Sequence, residues 1–428
     1  MKITPARRVY ALGAVLLAAL TICSRHFDDR GGPCFMASLV VAGVAYLLAV
    51  RELFATPKFE RRVARQVVVI GLVLAAVWHV EFLRLPVGAD DDIRRYIWDG
   101  RLQRLGYNPY LVVPSDPATQ GLHTSETRGL NNPDLPSPYP AGAELFFRAV
   151  TAIHESIFAL KVAFVVCDLA IVLILLDILR RGGKGAYLVL VFAWNPLLAI
   201  EVAGSGHIDI VGALLLLVSA AALVRRWRAT AAVAFGLAVA VKFLPVVLLP
   251  LYWKRVRIRD AALGAAATGL LYLPFLNHGR IPAGSVGRYV QSFRFNGPVF
   301  AALDRVAPAW LLAGLAALAG FLTAIWLRRK AAEFSPDVMA WPMAASLLCA
   351  PVVYPWYLLW LLPLLRPGSS VPILIWTVSI IPTYYVWHLR TLGQPWVLPV
   401  WIMALEYGLV AIAAAMVARR RFRRAGRT

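Results

Sequence analysis

Runs of about 17 or more apolar residues recur along the chain, at 10–26, 34–50, 66–83, 157–179, 186–203, 208–224, 260–277, 308–327, 371–388 and 396–418. Each can cross a hydrocarbon core roughly 30 Å thick as an α-helix. The pattern predicts an all-α polytopic membrane protein, because backbone facing lipid must satisfy its hydrogen bonds within each helix. The first run follows Lys2, Arg7 and Arg8, and no small-residue cleavage site comes after it, so it reads as a retained signal-anchor helix. No internal repeat, low-complexity segment or soluble domain is visible, and 1–428 reads as a single membrane domain.

The polar positions between the runs are unevenly charged. Of 44 Lys and Arg, 28 fall in the short segments 2–8, 51–65, 180–184, 225–228, 254–259, 328–330, Arg366 and 419–427. Basic residues gather on the cytoplasmic side of membrane helices, so these turns and both termini are expected to be cytoplasmic. The net charge of +21 therefore reports orientation and implies no nucleic-acid partner. A hydrophobic content of 60% and a mean hydropathy of +0.67 agree with an integral membrane protein, expected in a bacterial inner membrane. Cys167 and Cys349 lie inside apolar runs; Cys23 and Cys34 flank a short outer loop that a disulfide could bridge.

Two stretches are too short for the charges around them. The 25 residues 229–253 separate RRWR (225–228) from KRVRIR (254–259), and one crossing would leave one cluster outside. A hairpin of two short helices, breaking near Lys242–Phe243–Leu244–Pro245, keeps both inside. Proline disfavours helix at the residue before it and removes a donor. The same reasoning breaks the chain between RRK (328–330) and Arg366, near Pro351 to Trp356 in CAPVVYPWYLLWLLPLL. Irregular backbone at membrane depth is tolerated around cavities, so such breaks point to binding sites.

With these two hairpins, 84–143, 203–207, 278–307 and 389–395 face outside. Loop 84–143 is 60 residues long, far more than a connector needs, and its aromatics and prolines predict an ordered loop. Apolar residues at helical spacing in GAELFFRAVTAIHES (142–156) predict an interfacial helix over 144–156.

The chemistry concentrates on that outer face. Asp90, Asp91 and Asp92 stand together after a membrane run, where one carboxylate could cap the helix beginning at Ile93 and the others are surplus to capping. Mutual repulsion and partial burial suit one of them to act as a general base. Arg94, Arg95, Arg101 and Arg104 follow at helical spacing, with Arg95 on the same face as Asp91 or ion-paired locally. Glu201, His207 and Asp209 border a turn at Gly204 and Gly206. Ionisable groups this close to a membrane are functional candidates, and His207 suits a phosphate oxygen or a hydroxyl. Lys242 is a cation at the apex of a broken hairpin, where an anionic phosphate is a natural partner and snorkelling is the alternative. Arg280, Arg288 and Arg294 place positive charge outside, against the topological bias, and suggest an anionic ligand. Tyr354, Trp356, Tyr357 and Trp360 suit either an interfacial aromatic belt or stacking on a sugar. No glycine-rich phosphate loop or dinucleotide fingerprint occurs, so a soluble nucleotide-sugar site is not indicated.

In order along the chain, DDIRRYIWDGRLQRLGYNPY, LPSPYPAG, AWNPLLAIEVAGSGHID, VKFLPVVLLPLYW and YPWYLLWLLPLL resemble the polyprenol-phosphate-mannose-dependent mannosyltransferases of the GT-C superfamily. The resemblance spans about residues 88 to 365. It implies a GT-C fold of about 12–14 transmembrane segments whose first outer loop carries the catalytic acid, and a polyprenyl-phosphate sugar as donor. By position Asp91 matches the catalytic acid, with Asp92 next; Asp90 and Ile208 depart from the pattern, which touches acid assignment and sugar preference. The implied substrate-binding set is Asp90, Arg95, Tyr139, Glu201, His207, Asp209, Lys242, Arg294, Tyr354 and Trp356.

These readings converge on transfer of a hexose, most simply mannose, from polyprenyl phosphate to a membrane lipid or glycan acceptor, with inversion. No cofactor and no metal are expected, since a phosphate leaving group does not demand one, although the aspartates could hold a divalent cation. The competing readings are a GT-C enzyme using lipid-linked arabinose or glucose, and a transporter or flippase for lipid-linked sugars. The last would be expected to show internal symmetry.

Overall fold

The computed structural model describes residues 4–56, 59–88, 91–330 and 333–425, with residues 421–425 as backbone. The described residues are helical, and among them no β-strand forms. The chain packs as two compact units, one built from Met1–Pro86, Val172–Glu201 and Tyr354–Thr428, the other from Val87–Ile171 and Val202–Val353.

The early helices are α1 (Pro5–Arg25), α2 (Pro33–Ala55), α3 (Arg61–Leu83), α4 (Asp92–Arg104), α5 (Ala141–Ile153) and α6 (Ile157–Arg181). Local chemistry sets their starts: the Thr4 hydroxyl accepts the Arg7 N–H, and Pro5 and Pro33 open α1 and α2 where no intrahelical donor is needed. Six described helices are long and apolar enough to cross a membrane: α1, α2, α3, α6, Ala309–Lys330 and Val400–Arg420. A bent pair, Ala186–Ala193 with Leu198–Gly204, makes a seventh at an angle of 67°. The protein is an integral membrane protein. Of the other expected runs, 208–224 forms the 16-residue helix Asp209–Val224, while 260–277 and 371–388 are divided into shorter pieces.

In the first unit, α2 and α3 receive the bent pair through two buried bonds. The Tyr46 hydroxyl donates to Val191 O at 2.7 Å, and the Trp194 indole donates to Gly71 O at 2.8 Å. Pro196 forces the bend; Asn195 then accepts the Leu197 N–H at 3.0 Å and donates to the Thr377 hydroxyl at 2.9 Å. Leu198–Gly204 is wound as a π-helix, a form that recurs at functional sites. Cys23 and Cys34 are free thiols, so the outer loop between them is not bridged.

In the second unit both expected breaks are present. Helix Arg228–Val241 ends at Lys242, whose backbone is extended (φ −159°, ψ 144°), and the chain continues through the short turns Leu244–Leu248 and Leu249–Tyr252. Helix Ala340–Leu348 likewise gives way to extended backbone, where the Phe295 N–H donates to Pro351 O at 3.0 Å and the Val353 N–H donates to Phe295 O at 2.8 Å. The long loop is ordered around α4 and α5. The expected helix over 144–156 begins three residues earlier, because the chain leaves Pro140 already extended into its first turn.

Candidate active site

The aspartates sit where α4 begins. Asp91 is the N-cap residue and is nearly fully buried; its Oδ2 accepts the Gly88 N–H at 2.7 Å. Asp92 occupies the first turn, and its Oδ1 accepts from the Asn131 amide at 2.6 Å. Both carboxylates also lie at the positive end of the helix dipole. Asp90 lies outside the described residues.

A closed circuit of close contacts ties this helix start to the second acidic cluster. The Ile93 side chain, one residue past Asp92, closes on Gly206, as does the stem of Lys161 from α6. A Cβ at Gly206 would lie 2.5 Å from Ile93 Cδ1 and 3.3 Å from Lys161 Cγ. Gly206 also has φ +77°, a conformation that side chains resist. His207 and Asp209 follow, both buried. Asp209 then takes the Lys242 ammonium at 2.8 and 2.9 Å. Lys242 ends helix Arg228–Val241, and the carbonyl of Ala240 packs against Gly142 at the start of α5. Finally α5 returns to α4, where Gly100 lies against the Phe147 carbonyl. Asp91, Asp92, His207, Asp209 and Lys242, separated by up to 151 positions in the chain, are thereby held in one cluster of packed elements.

Tyr96 runs through the middle of this arrangement. Its ring stacks on Phe147 at 4.3 Å and meets the Tyr139 ring edge-on at 5.2 Å. Burial pushes its phenol well up, and the charges of Asp92 and Asp209 push it further, as expected of a group lying between the two acidic clusters. Tyr139 is half-buried against the Tyr96 ring at 5.2 Å.

Arg95 takes the local ion pair, one of its two expected settings. Its guanidinium is buried, with Nε at 3.2 Å from Asp99 Oδ1 and its outer nitrogens on the carbonyls of Asn132 and Leu135. These are loop-holding bonds, the local ion pairing weighed from the sequence. Arg294 is taken up within its own loop: it bonds both oxygens of Asp304 at 3.0 and 3.1 Å and lies over the Phe300 ring at 4.5 Å. Glu201, Tyr354 and Trp356 belong to the first unit. There Glu201 is buried and accepts from the Tyr384 hydroxyl, and Tyr354 stacks on Trp356 at 4.3 Å beside Trp387.

Residues 10–256, more than half of the chain, match the family described as alpha-(1->6)-mannopyranosyltransferase, N-terminal domain (MptA_B family). The chain belongs to this family. The matched stretch takes in every member of the cluster from Asp91 to Lys242, and it bears out the mannosyltransferase resemblance read from the sequence motifs. A glycosyltransferase of this family is thus an integral membrane protein. A solved structure, that of ArnT from Cupriavidus metallidurans bound to undecaprenyl phosphate, is similar at 16% identity and a TM-score of 0.46, over 82% of this chain and 74% of that one. No curated protein matches the chain.

Some buried charged and polar groups of the second unit escape the sequence reading. Lys161 and Asp168 are buried in α6 seven residues apart, on one helical face. Their signal was the one that marked Lys242, a charge inside an apolar run. Asp99, Gln103 and Glu144 were masked by the amphipathic look of α4 and α5. Among the described residues no group of three His, Cys, Asp or Glu is placed to hold a metal ion.

The Gly206 contact carries a direct prediction. In Gly206→Ala the new methyl must displace Ile93 and strain a positive φ, at a cost of roughly 1–3 kcal/mol. Thermal inactivation in membranes should come at lower temperature, and transfer should fall further than stability alone explains. Unchanged rates would remove Gly206 from the support of the site.

Proposed function

We propose that this protein transfers mannose from a polyprenyl-phosphate donor to a lipid-linked or glycan acceptor on the extracytoplasmic face, forming an α-(1→6) linkage with inversion. The observation that carries the reading is the packing of the Asp91–Asp92 helix start onto the Gly206–Asp209 turn, with Lys242 on Asp209. That packing supports a site in which the candidate base and a cationic group suited to phosphate belong to one cluster of packed elements.

In the proposed step Asp91 accepts the proton of an acceptor hydroxyl as its oxygen attacks the anomeric carbon. The new C–O bond forms while the bond from that carbon to the phosphate oxygen breaks, and the electron pair leaves on the prenyl phosphate. Attack from the face opposite the phosphate converts a β-linked donor into an α product, in keeping with the linkage in the family's description. Positive charge fixed near the departing phosphate stabilises the transition state more than the ground state. Lys242 and His207 are the groups proposed for this, with Lys161 beside them. The prenyl tail would lie along apolar surface near the break at Lys242, where the helix has already yielded its regular hydrogen bonds.

The test supplies membranes containing the protein with radiolabelled polyprenyl-phosphate mannose and resolves the glycolipid products. Label passing into an α-linked mannoside is expected. Label remaining on the donor, or product of retained configuration, would contradict the reading.

A further inference from the structure

Beneath the aspartates, α4 presents Arg95, Asp99 and Gln103 at four-residue spacing to Glu144 of α5, and all four side chains are buried. Glu144 is the centre of this group. The Gln103 amide donates to Glu144 Oε2 at 2.9 Å, and the Ser137 hydroxyl donates to Glu144 Oε1 at 2.5 Å. Ser137 is in turn the clasp of the returning loop. Its N–H donates to Pro109 O at 3.0 Å, its carbonyl accepts the Ser285 N–H at 3.3 Å, and its hydroxyl oxygen accepts the Tyr139 N–H at 3.2 Å. Tyr139 then packs edge-on against the Tyr96 ring at 5.2 Å.

We propose that Glu144 is a positioning residue of this site: through Ser137 it holds the loop and Tyr139 against the helix that carries Asp91 and Asp92. The proposal rests on the function given above. Glu144 acts as a neutral acid. Two carboxyls are buried together, and the one guanidinium of the group, that of Arg95, is bonded to Asp99. A second buried carboxylate would have no compensating charge there. Burial pushes both acids up; Arg95 opposes this at Asp99, and the Asp99 charge pushes Glu144 up further. Burial and the neighbouring Asp99 charge therefore favour the protonated form of Glu144. The charged or titratable groups facing Glu144 are Arg95 and Asp99 from α4, Tyr139 and Tyr110 from the loop, and Tyr272 next to Tyr110.

The sign of the pH effect follows. An acid whose folded-state value is raised stabilises the fold at low pH and loses that contribution as pH rises through the raised value. Deprotonation of Glu144 then sets two buried carboxylates against each other and strains the group that holds the loop, so transfer falls on the alkaline side.

The test compares wild type, Glu144→Gln and Glu144→Ala in membranes, by mannose transfer across the pH range and by protease cleavage of loop 111–135. Gln is neutral like the protonated acid, and its oxygen can still accept from the Ser137 hydroxyl. Glu144→Gln should keep the neutral-pH rate within about twofold, lose the alkaline fall, and leave the loop protected at high pH. Glu144→Ala should lower kcat by roughly 10²-fold with little change in KM for the donor, because a displaced loop misaligns the reacting groups, and should expose the loop to protease. Two results would overturn the proposal: Glu144→Gln as impaired as Glu144→Ala, or Glu144→Gln keeping the alkaline fall of wild type. The cleavage assay needs no turnover, so loop protection reports on Glu144 even if the wild type transfers no mannose, a result that would count against the function instead.

Discussion

Asp91→Asn is expected to lower mannose transfer by roughly 10²–10⁴-fold, the range in which a positioned general base contributes to a rate. The donor KM should change little, since the substitution keeps the side chain's size and can still accept the Gly88 N–H. Asp92→Asn should cost less. Asp92 is less buried, and its contact to Asn131 is one that an amide oxygen can also make. The double variant Asp91→Asn with Asp92→Asn should be inactive, while helix α4 is kept, since the Asp91 side chain makes no cap bond to it. Initial rates with labelled donor distinguish the cases. Asp91→Asn with the wild-type rate and Asp92→Asn without activity would move the base to Asp92. Full activity in the double variant would dismiss both.

The second large effect is at the ion pair. Lys242→Met leaves the fully buried Asp209 carboxylate without its ammonium partner, and breaking a buried pair in this way costs roughly 3–5 kcal/mol. The variant should therefore inactivate at markedly lower temperature in detergent, and its transfer should be lost. Adding Asp209→Asn removes the stranded charge. If Lys242 also meets the donor phosphate, this double variant should recover thermal stability without recovering transfer. If the pair is merely structural, stability and transfer should return together. Thermal inactivation curves and rates on the same three proteins separate these outcomes.

Much of this site could be read from charge and spacing. The break at Lys242 follows from two basic clusters too close together for one crossing, and the structure breaks the helix at that residue. The acidic run before Ile93 and the glycine-bounded GHID segment identify themselves because carboxylates beside membrane helices cost free energy that the fold alone does not recover. What sequence spacing could not supply was contact between distant segments. Whether Arg95 turns to a ligand or to Asp99 depends on where residues 132–135 return, and they return over its guanidinium. Glu144 is hidden for a related reason: a carboxylate in an amphipathic helix normally faces water, and here the neighbouring helix covers it with Gln103 and the returning loop with Ser137. Lys161 was missed because a lone lysine near the end of a long apolar run reads as a snorkelling residue. Boundaries slipped for local causes, as at α5, which Pro140 starts early.

The central claim is that a lipid-phosphate sugar is attacked at the Asp91 end of α4. The most direct measurement gives purified protein in lipid vesicles two labelled donors in parallel, polyprenyl-phosphate mannose and a nucleotide-linked mannose, with wild type and Asp91→Asn. Transfer by the wild type from the polyprenyl donor alone, and its loss in Asp91→Asn, is the predicted result. Transfer from the nucleotide donor, or transfer that Asp91→Asn and Asp92→Asn together leave intact, would contradict it.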